Sequence, residues 1–117
     1  LLLDTDVMID VMRRYPTAIA WLESRAMDEV LLPGFVVLEL LQGCRGKSEQ
    51  ERVERAITPY RVVWPSDEAC NAAVRTYAQF HLSHNLGFID ALIGHTALLL
   101  DLPLHTFNQK HYAVFQV

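Results

Sequence analysis

Short apolar runs alternate along this chain with longer stretches of helical period. Leu1–Leu3 closes against polar Asp4, which is how a buried strand of a parallel sheet reads where a turn follows it. EVLLP (29–33), stopped by Pro33 and Gly34, RVVW (61–64) and the segment 103–106 repeat the pattern as a second, third and fourth strand. AVFQV at 113–117 is a candidate short fifth. Between the strands, a helix is expected from Asp6 to Arg14. Another is TAIAWLESRA behind Pro16, with Ile19, Trp21 and Leu22 at helical spacing. Residues 35–44 form a helix ending at Gly43 or Gly46, and SEQERVERAI opens with Ser48 and Glu51 at the spacing of a capping box. Ser66 caps a helix with Asp67 and Glu68 in its first turn, running to about His84, and FIDALIGHTALLL supplies the last. With no repeats, low-complexity stretches or linkers, this alternation predicts one α/β domain over residues 1–117, a parallel sheet of four to five strands covered on both faces.

Composition narrows the function. At 117 residues and 51% hydrophobic, the chain has enough apolar side chains for a packed core. A net charge of −4 excludes a generally basic nucleic-acid binder, so any nucleic acid must be held by a local basic rim or through a bound metal. Cys44 and Cys70 stand far apart with no Cys-x-x-Cys, which argues against a disulfide framework or zinc ribbon and for a reducing, cytoplasmic setting. The longest apolar segment, around 86–104, is broken by Asp90, His95 and Asp101, so no membrane span is expected.

Three carboxylates sit where the local pattern disfavours charge. Glu39 lies inside FVVLELLQG on the helical face of Phe35 and Val36, Asp90 shares its face with Ile93, Gly94 and Ala97, and Asp4 ends the first strand. Each has an ordinary alternative: Asp4 as a helix cap, Glu39 as a surface acid or the buried partner of an arginine, Asp90 as an acid favouring a helix dipole. An unpaired buried carboxylate costs several kcal/mol, and three of them on separate elements share one economical explanation, a divalent cation around which they meet. Hard oxygen ligands suit Mg²⁺ or Mn²⁺, ions that activate water and neutralise phosphodiester charge. In HTFNQKHY (105–112), Thr106 and Asn108 fall just past the fourth strand, placed either to orient a water or phosphate or to serve as turn residues. His81 and His84, three apart on one helix without a third ligand, read as a surface pair, and Met8 and Met12 as core or partner packing.

Taken in order, LLLDTDVMID, FVVLELLQG and FIDALIGHTALLLDLPLHTFNQKHY resemble the PIN-domain ribonucleases, most closely toxins of the VapC type. The resemblance spans essentially the whole chain and maps the family's three acids onto Asp4, Glu39 and Asp90. It implies a three-layer α/β/α fold, a homodimer inhibited by a small VapB-like antitoxin, and cleavage of RNA by water activated at Mg²⁺ or Mn²⁺. Asp4, Glu39 and Asp90 would then hold the metal, and Thr5 or Thr106 would help position the water. Two positions depart from the family's pattern. Asn108 stands at the usual fourth acid, so a second metal would be held weakly, and Asp6 stands where Asn or Ser is commoner, either partly offsetting that loss or, the reading favoured here, capping the first helix. Arg13, Arg14, Arg45, Lys47 and Lys110 are the candidate phosphate contacts. Amphipathic helices between residues 17 and 60 are the expected dimer and antitoxin surfaces.

Two other readings compete. A PIN-like module without activity would bind RNA or protein only, and Asn108 is the feature that favours it. A haloacid-dehalogenase-like phosphatase would use Asp4 as nucleophile and Asp6 as acid/base, but leaves Glu39 and Asp90 unexplained and lacks a convincing late acidic pair.

Overall fold

A computed structural model describes residues 1–115. Strands β1 (Leu2–Leu3), β2 (Leu31–Pro33), β3 (Arg61–Val63) and β4 (Leu104–His105) are all parallel, in the order β3-β2-β1-β4. Leu2 is in register with both Leu31 and Leu104, and Leu31–Pro33 runs against Arg61–Val63. The strands are short, and the central β1 is wholly buried.

Among the described residues, six α-helices fill the crossovers. α1 (Thr5–Met12) and α2 (Pro16–Glu23) join β1 to β2, α3 (Gly34–Gln42) and α4 (Lys47–Ile57) join β2 to β3, and α5 (Asp67–His84) and α6 (Phe88–Leu100) return to β4. The chain steps outward from β1 to β3 and then jumps back past β1. With right-handed crossovers, this puts α1 to α4 on one face of the sheet and α5 and α6 on the other. Strand order therefore reverses between β1 and β4, and the crevice beyond the carboxyl ends of those two strands is where an open α/β sheet places its ligand. Asp4 and Thr106 are the first residues past those ends.

The main core joins Leu3 and Leu32 of the sheet to Val7, Met8 and Val11 of α1, Val36 and Leu40 of α3, and Val53 and Ile57 of α4. Met8 is 1% exposed and Met12 packs on its edge, so both methionines are core residues. Each fully buried side chain of this kind contributes about 1.5–3 kcal/mol relative to exposure. A smaller cluster of Ala73, Leu86 and Ala91 seals α5 against α6.

Two expectations about secondary structure fail. The capping box at Ser48 does not form, because α4 is capped by Gly46 and Ser48 already lies within its first turn. Glu49 turns back instead to accept from the Arg45 backbone N–H at 3.1 Å. The fifth strand does not form either: residues 113–115 belong to a 3-10 helix, Gln109–Phe115, and 116–117 lie outside the described residues. That segment is drawn onto α6 by its aromatic residues, since Tyr112 enters the core and the Phe115 ring covers the bare backbone of Gly94. By contrast, the Ser66 hydroxyl caps α5 as expected, accepting from Ala69 N–H at 3.2 Å. Both cysteines are free, and among the described residues no helix is long and apolar enough to cross a membrane.

Candidate active site

Asp4 serves two purposes at once. Its extended backbone makes it the N-cap of α1, where Oδ1 accepts from Thr5 N–H at 2.8 Å. The other oxygen, Oδ2, faces the crevice and accepts from the Thr106 hydroxyl at 2.8 Å and the Tyr112 hydroxyl at 2.9 Å. The cap reading and the site reading therefore both hold for a side chain only 6% exposed. Thr106 is similarly double, since its Oγ1 also accepts from Asn108 N–H at 3.0 Å to close a local turn.

Glu39 reaches the same place from α3. The Thr5 hydroxyl donates to its Oε1 at 2.7 Å, so the residue next to Asp4 tethers it. It is half-buried, and no arginine pairs with it within 4.0 Å among the described residues. Asp90, in the first turn of α6, completes the set: the Tyr112 hydroxyl lies 3.3 Å from its Oδ1, and His111 Nδ1 lies 3.4 Å from its Oδ2. Burial raises the Asp90 carboxyl above its ordinary value; His111 and the Tyr112 hydrogen bond counteract this, while the charges of Asp4 and Glu39 add to it. Asp4, Thr106 and Asp90 are thus linked near the carboxyl ends of β1 and β4, directly or through Tyr112, and Glu39 is tied to Thr5 beside Asp4.

Asp6 does not cap α1, because it lies one residue inside the helix. It faces the C-terminal loop, where its Oδ2 accepts from Asn108 Nδ2 at 2.8 Å and Phe107 N–H at 3.1 Å. Burial and the neighbouring Asp4 charge raise its carboxyl, and its Oδ1 is buried with no partner. Asn108 accordingly meets Asp6 rather than Asp4 or Asp90. The two positions that depart from the resembled pattern, Asp6 and Asn108, are thus in contact with each other.

The donor chemistry fits a divalent cation: hard carboxylate oxygens, an orphaned buried Asp6 Oδ1, and no Lys or Arg bridged to any of these acids among the described residues. As the side chains lie, however, no group of three His, Cys, Asp or Glu among the described residues is close enough to grip an ion. What stands between Asp4 and Asp90 is the Tyr112 hydroxyl. Tyr112 and His111, both within HTFNQKHY, join the site although the sequence does not single them out. A Tyr in a polar C-terminal stretch gives no local sign that it will be buried against two acids.

The candidate phosphate contacts are less concentrated. Arg13, Arg14, Arg45, Lys47 and Lys110 are all exposed. Only Arg13 borders a cavity shared with Glu39, of about 400 Å³ between α1, α3 and α4, and Arg52, not foreseen, lines it too. Arg14 ends α1 in the left-handed region at φ 58°. His81 stacks on Tyr77 and His84 contacts Ser83, so both have ordinary surface roles.

Residues 1–115 match the family described as the PIN domain. Ribonuclease VapC10 of Mycobacterium tuberculosis is 33% identical over 118 residues, spanning 99% of this chain and 88% of that protein. Toxin FitB of Neisseria gonorrhoeae is 33% identical over 120 residues, spanning 91% of this chain and 86% of the toxin. Among solved structures, FitAB bound to an IR36 DNA fragment matches with a TM-score of 0.79 at 25% identity, covering 99% of this chain and 90% of that one.

Proposed function

Since the chain belongs to the PIN domain family, we propose that it is a VapC-like endoribonuclease toxin, cleaving RNA phosphodiesters with Mg²⁺ or Mn²⁺ and inhibited by a VapB-like antitoxin. The observation that supports this reading is the tie between Asp4 and Asp90 through the Tyr112 hydroxyl where strand order reverses, with Glu39 held by Thr5, the neighbour of Asp4. A cytoplasmic homodimer is part of the same reading.

Asp4, Glu39 and Asp90 would hold the cation, which when bound supplies charge to offset the scissile phosphate and makes water a competent nucleophile. The protein's own residues do the positioning. Thr5 fixes Glu39, Thr106 fixes Asp4 Oδ2, and the α1 N-terminus holds Asp4 Oδ1, so the orientations of these two acids are set by the chain itself. Arg13 and Arg52 line a cavity with Glu39 and offer a phosphate backbone positive charge there.

The phosphatase reading falls with the family assignment, and with Asp6 held by Asn108 and Phe107 rather than free to move a proton. The decisive experiment is incubation of total cellular RNA with the purified chain in Mg²⁺ or Mn²⁺ and in chelator, beside Asp90→Asn. Cutting that needs both the metal and Asp90 is expected, with the variant down by on the order of 100-fold or more. A folded protein that binds RNA without cutting it would instead be the inactive binding module.

A further inference from the structure

Resting on the nuclease reading, we propose that the aromatic pocket between α1, α2 and the end of β4 is a base subsite that takes one unpaired guanine of a single-stranded RNA.

The pocket holds about 360 Å³, within the roughly 300–1,000 Å³ usual for small-molecule sites. Four of the side chains lining it are aromatic: Tyr15, Trp21, His105 and Phe107. Trp21 and His105 stack with ring centroids 4.0 Å apart and planes within 8°, so α2 and β4 together set one wall. Phe107 meets His105 at 67° with centroids 6.4 Å apart, and the aliphatic part of the lining is Val7 and Ala18. Phe107 is 58% exposed and Tyr15 47%, and neither packs into a core cluster. Two uncommitted rings beside a formed wall suit a flat ligand, and single-stranded RNA is recognised by stacking its bases on such rings.

The pocket adjoins the acids through the chain itself. His105 directly precedes Thr106, whose hydroxyl donates to Asp4 at 2.8 Å, and Phe107 N–H donates to Asp6 at 3.1 Å. An RNA strand crossing the acids therefore passes the pocket, and Arg25, its guanidinium carbon 5.3 Å from the Trp21 ring centroid, brings positive charge for a phosphate. The remaining lining residues, Asp10 and Thr17, are polar. Among the described residues no salt bridge holds the Asp10 carboxylate, which can only accept hydrogen bonds. On its Watson–Crick edge guanine offers two adjacent donors, N1–H and N2–H, and a carboxylate takes both in charge-assisted bonds. Adenine and cytosine set an acceptor beside their donor, and uracil flanks its N–H with two carbonyls. Each of these turns a lone pair toward Asp10, which selects against it.

The test is fluorescence anisotropy of end-labelled RNA hexamers in chelator, an all-uridine hexamer against ones with a single central guanosine, adenosine or cytidine. Wild type is measured beside Asp10→Asn, Phe107→Ala and Phe107→Leu, and chelator keeps cutting out of the readout. Wild type is expected to bind the guanosine hexamer about tenfold more tightly than the others, the scale of one bidentate base contact. Asp10→Asn should erase that preference. Phe107→Ala should weaken the guanosine hexamer roughly tenfold, and Phe107→Leu, which keeps apolar bulk without a ring, should follow it. Equal binding of the four hexamers, a preference for another base, no binding by wild type, or Asp10→Asn binding as wild type does overturns the guanine subsite. Full binding by Phe107→Leu overturns the stacking. None of these results touches the nuclease reading, which stands or falls on metal-dependent cutting of total RNA whatever base is preferred.

Discussion

At the scale of single residues, charge placement governs the site. Asp6 and Asn108 form one acid–amide contact at 2.8 Å, which makes their identities interdependent. Asn108→Asp alone would set two carboxylates against each other and should lower stability by on the order of 1 kcal/mol, and adding Asp6→Asn should recover most of it. Urea denaturation of the two singles and the double at pH 7 measures the coupling; strictly additive losses would show that the contact contributes nothing. Asp90 gives a pH dependence. Its folded carboxyl is raised above the ordinary 3.8, so the native chain binds that proton more readily than the unfolded chain does. Stability is therefore gained as pH falls through the folded value and is depressed above it. In chelator at pH 7, Asp90→Asn should melt a few degrees higher than wild type, and the difference should vanish below about pH 4. A scan by circular dichroism in which the two proteins melt together at neutral pH would refute this.

At the scale of elements, glycines decide how closely neighbours approach. A Cβ on Gly94 would stand 2.5 Å from the Phe115 ring, so α6 accepts the terminal 3-10 helix only because this position is bare. Gly94→Ala should cost about 1–3 kcal/mol through overpacking. It should also loosen the segment carrying Tyr112 and His111, which faster limited proteolysis near the C-terminus would reveal. Gly34 plays the same part at the start of α3, where a Cβ would meet the Trp64 ring at 2.4 Å. Pro33 and Gly34 thus bring α3, and with it Glu39, directly off the end of β2.

For the whole molecule, the apolar surface bears on assembly. Among the described residues, the stretch 17–60 exposes only Met27 and Leu38 of the large hydrophobics, while α5 and α6 expose Val74, Leu82, Phe88 and Leu98–Leu100, with Leu82 88% exposed. Three successive half-exposed leucines at a helix end are more apolar surface than isolated exposure explains. Sedimentation at several concentrations should give the mass of two chains, and Leu99→Glu should shift it toward one. A single-chain mass for wild type throughout would count against the homodimer.

The chain's own pattern determined the strand–helix alternation and the parallel sheet, because apolar period and turn chemistry are local properties. FIDALIGHTALLL is helical from Phe88 to Leu100, and Ser66 caps α5. It also marked Asp4, Glu39 and Asp90, because a carboxylate among apolar neighbours stands out without knowledge of the fold. Gly46 rather than Ser48 began α4, and the last residues described formed a 3-10 helix instead of a strand, since packing outweighs local preference where the two compete. Only the tertiary structure paired Asp6 with Asn108 and set Tyr112 between Asp4 and Asp90. Those contacts join residues 102 and 108 positions apart, and no periodicity carries information across such separations.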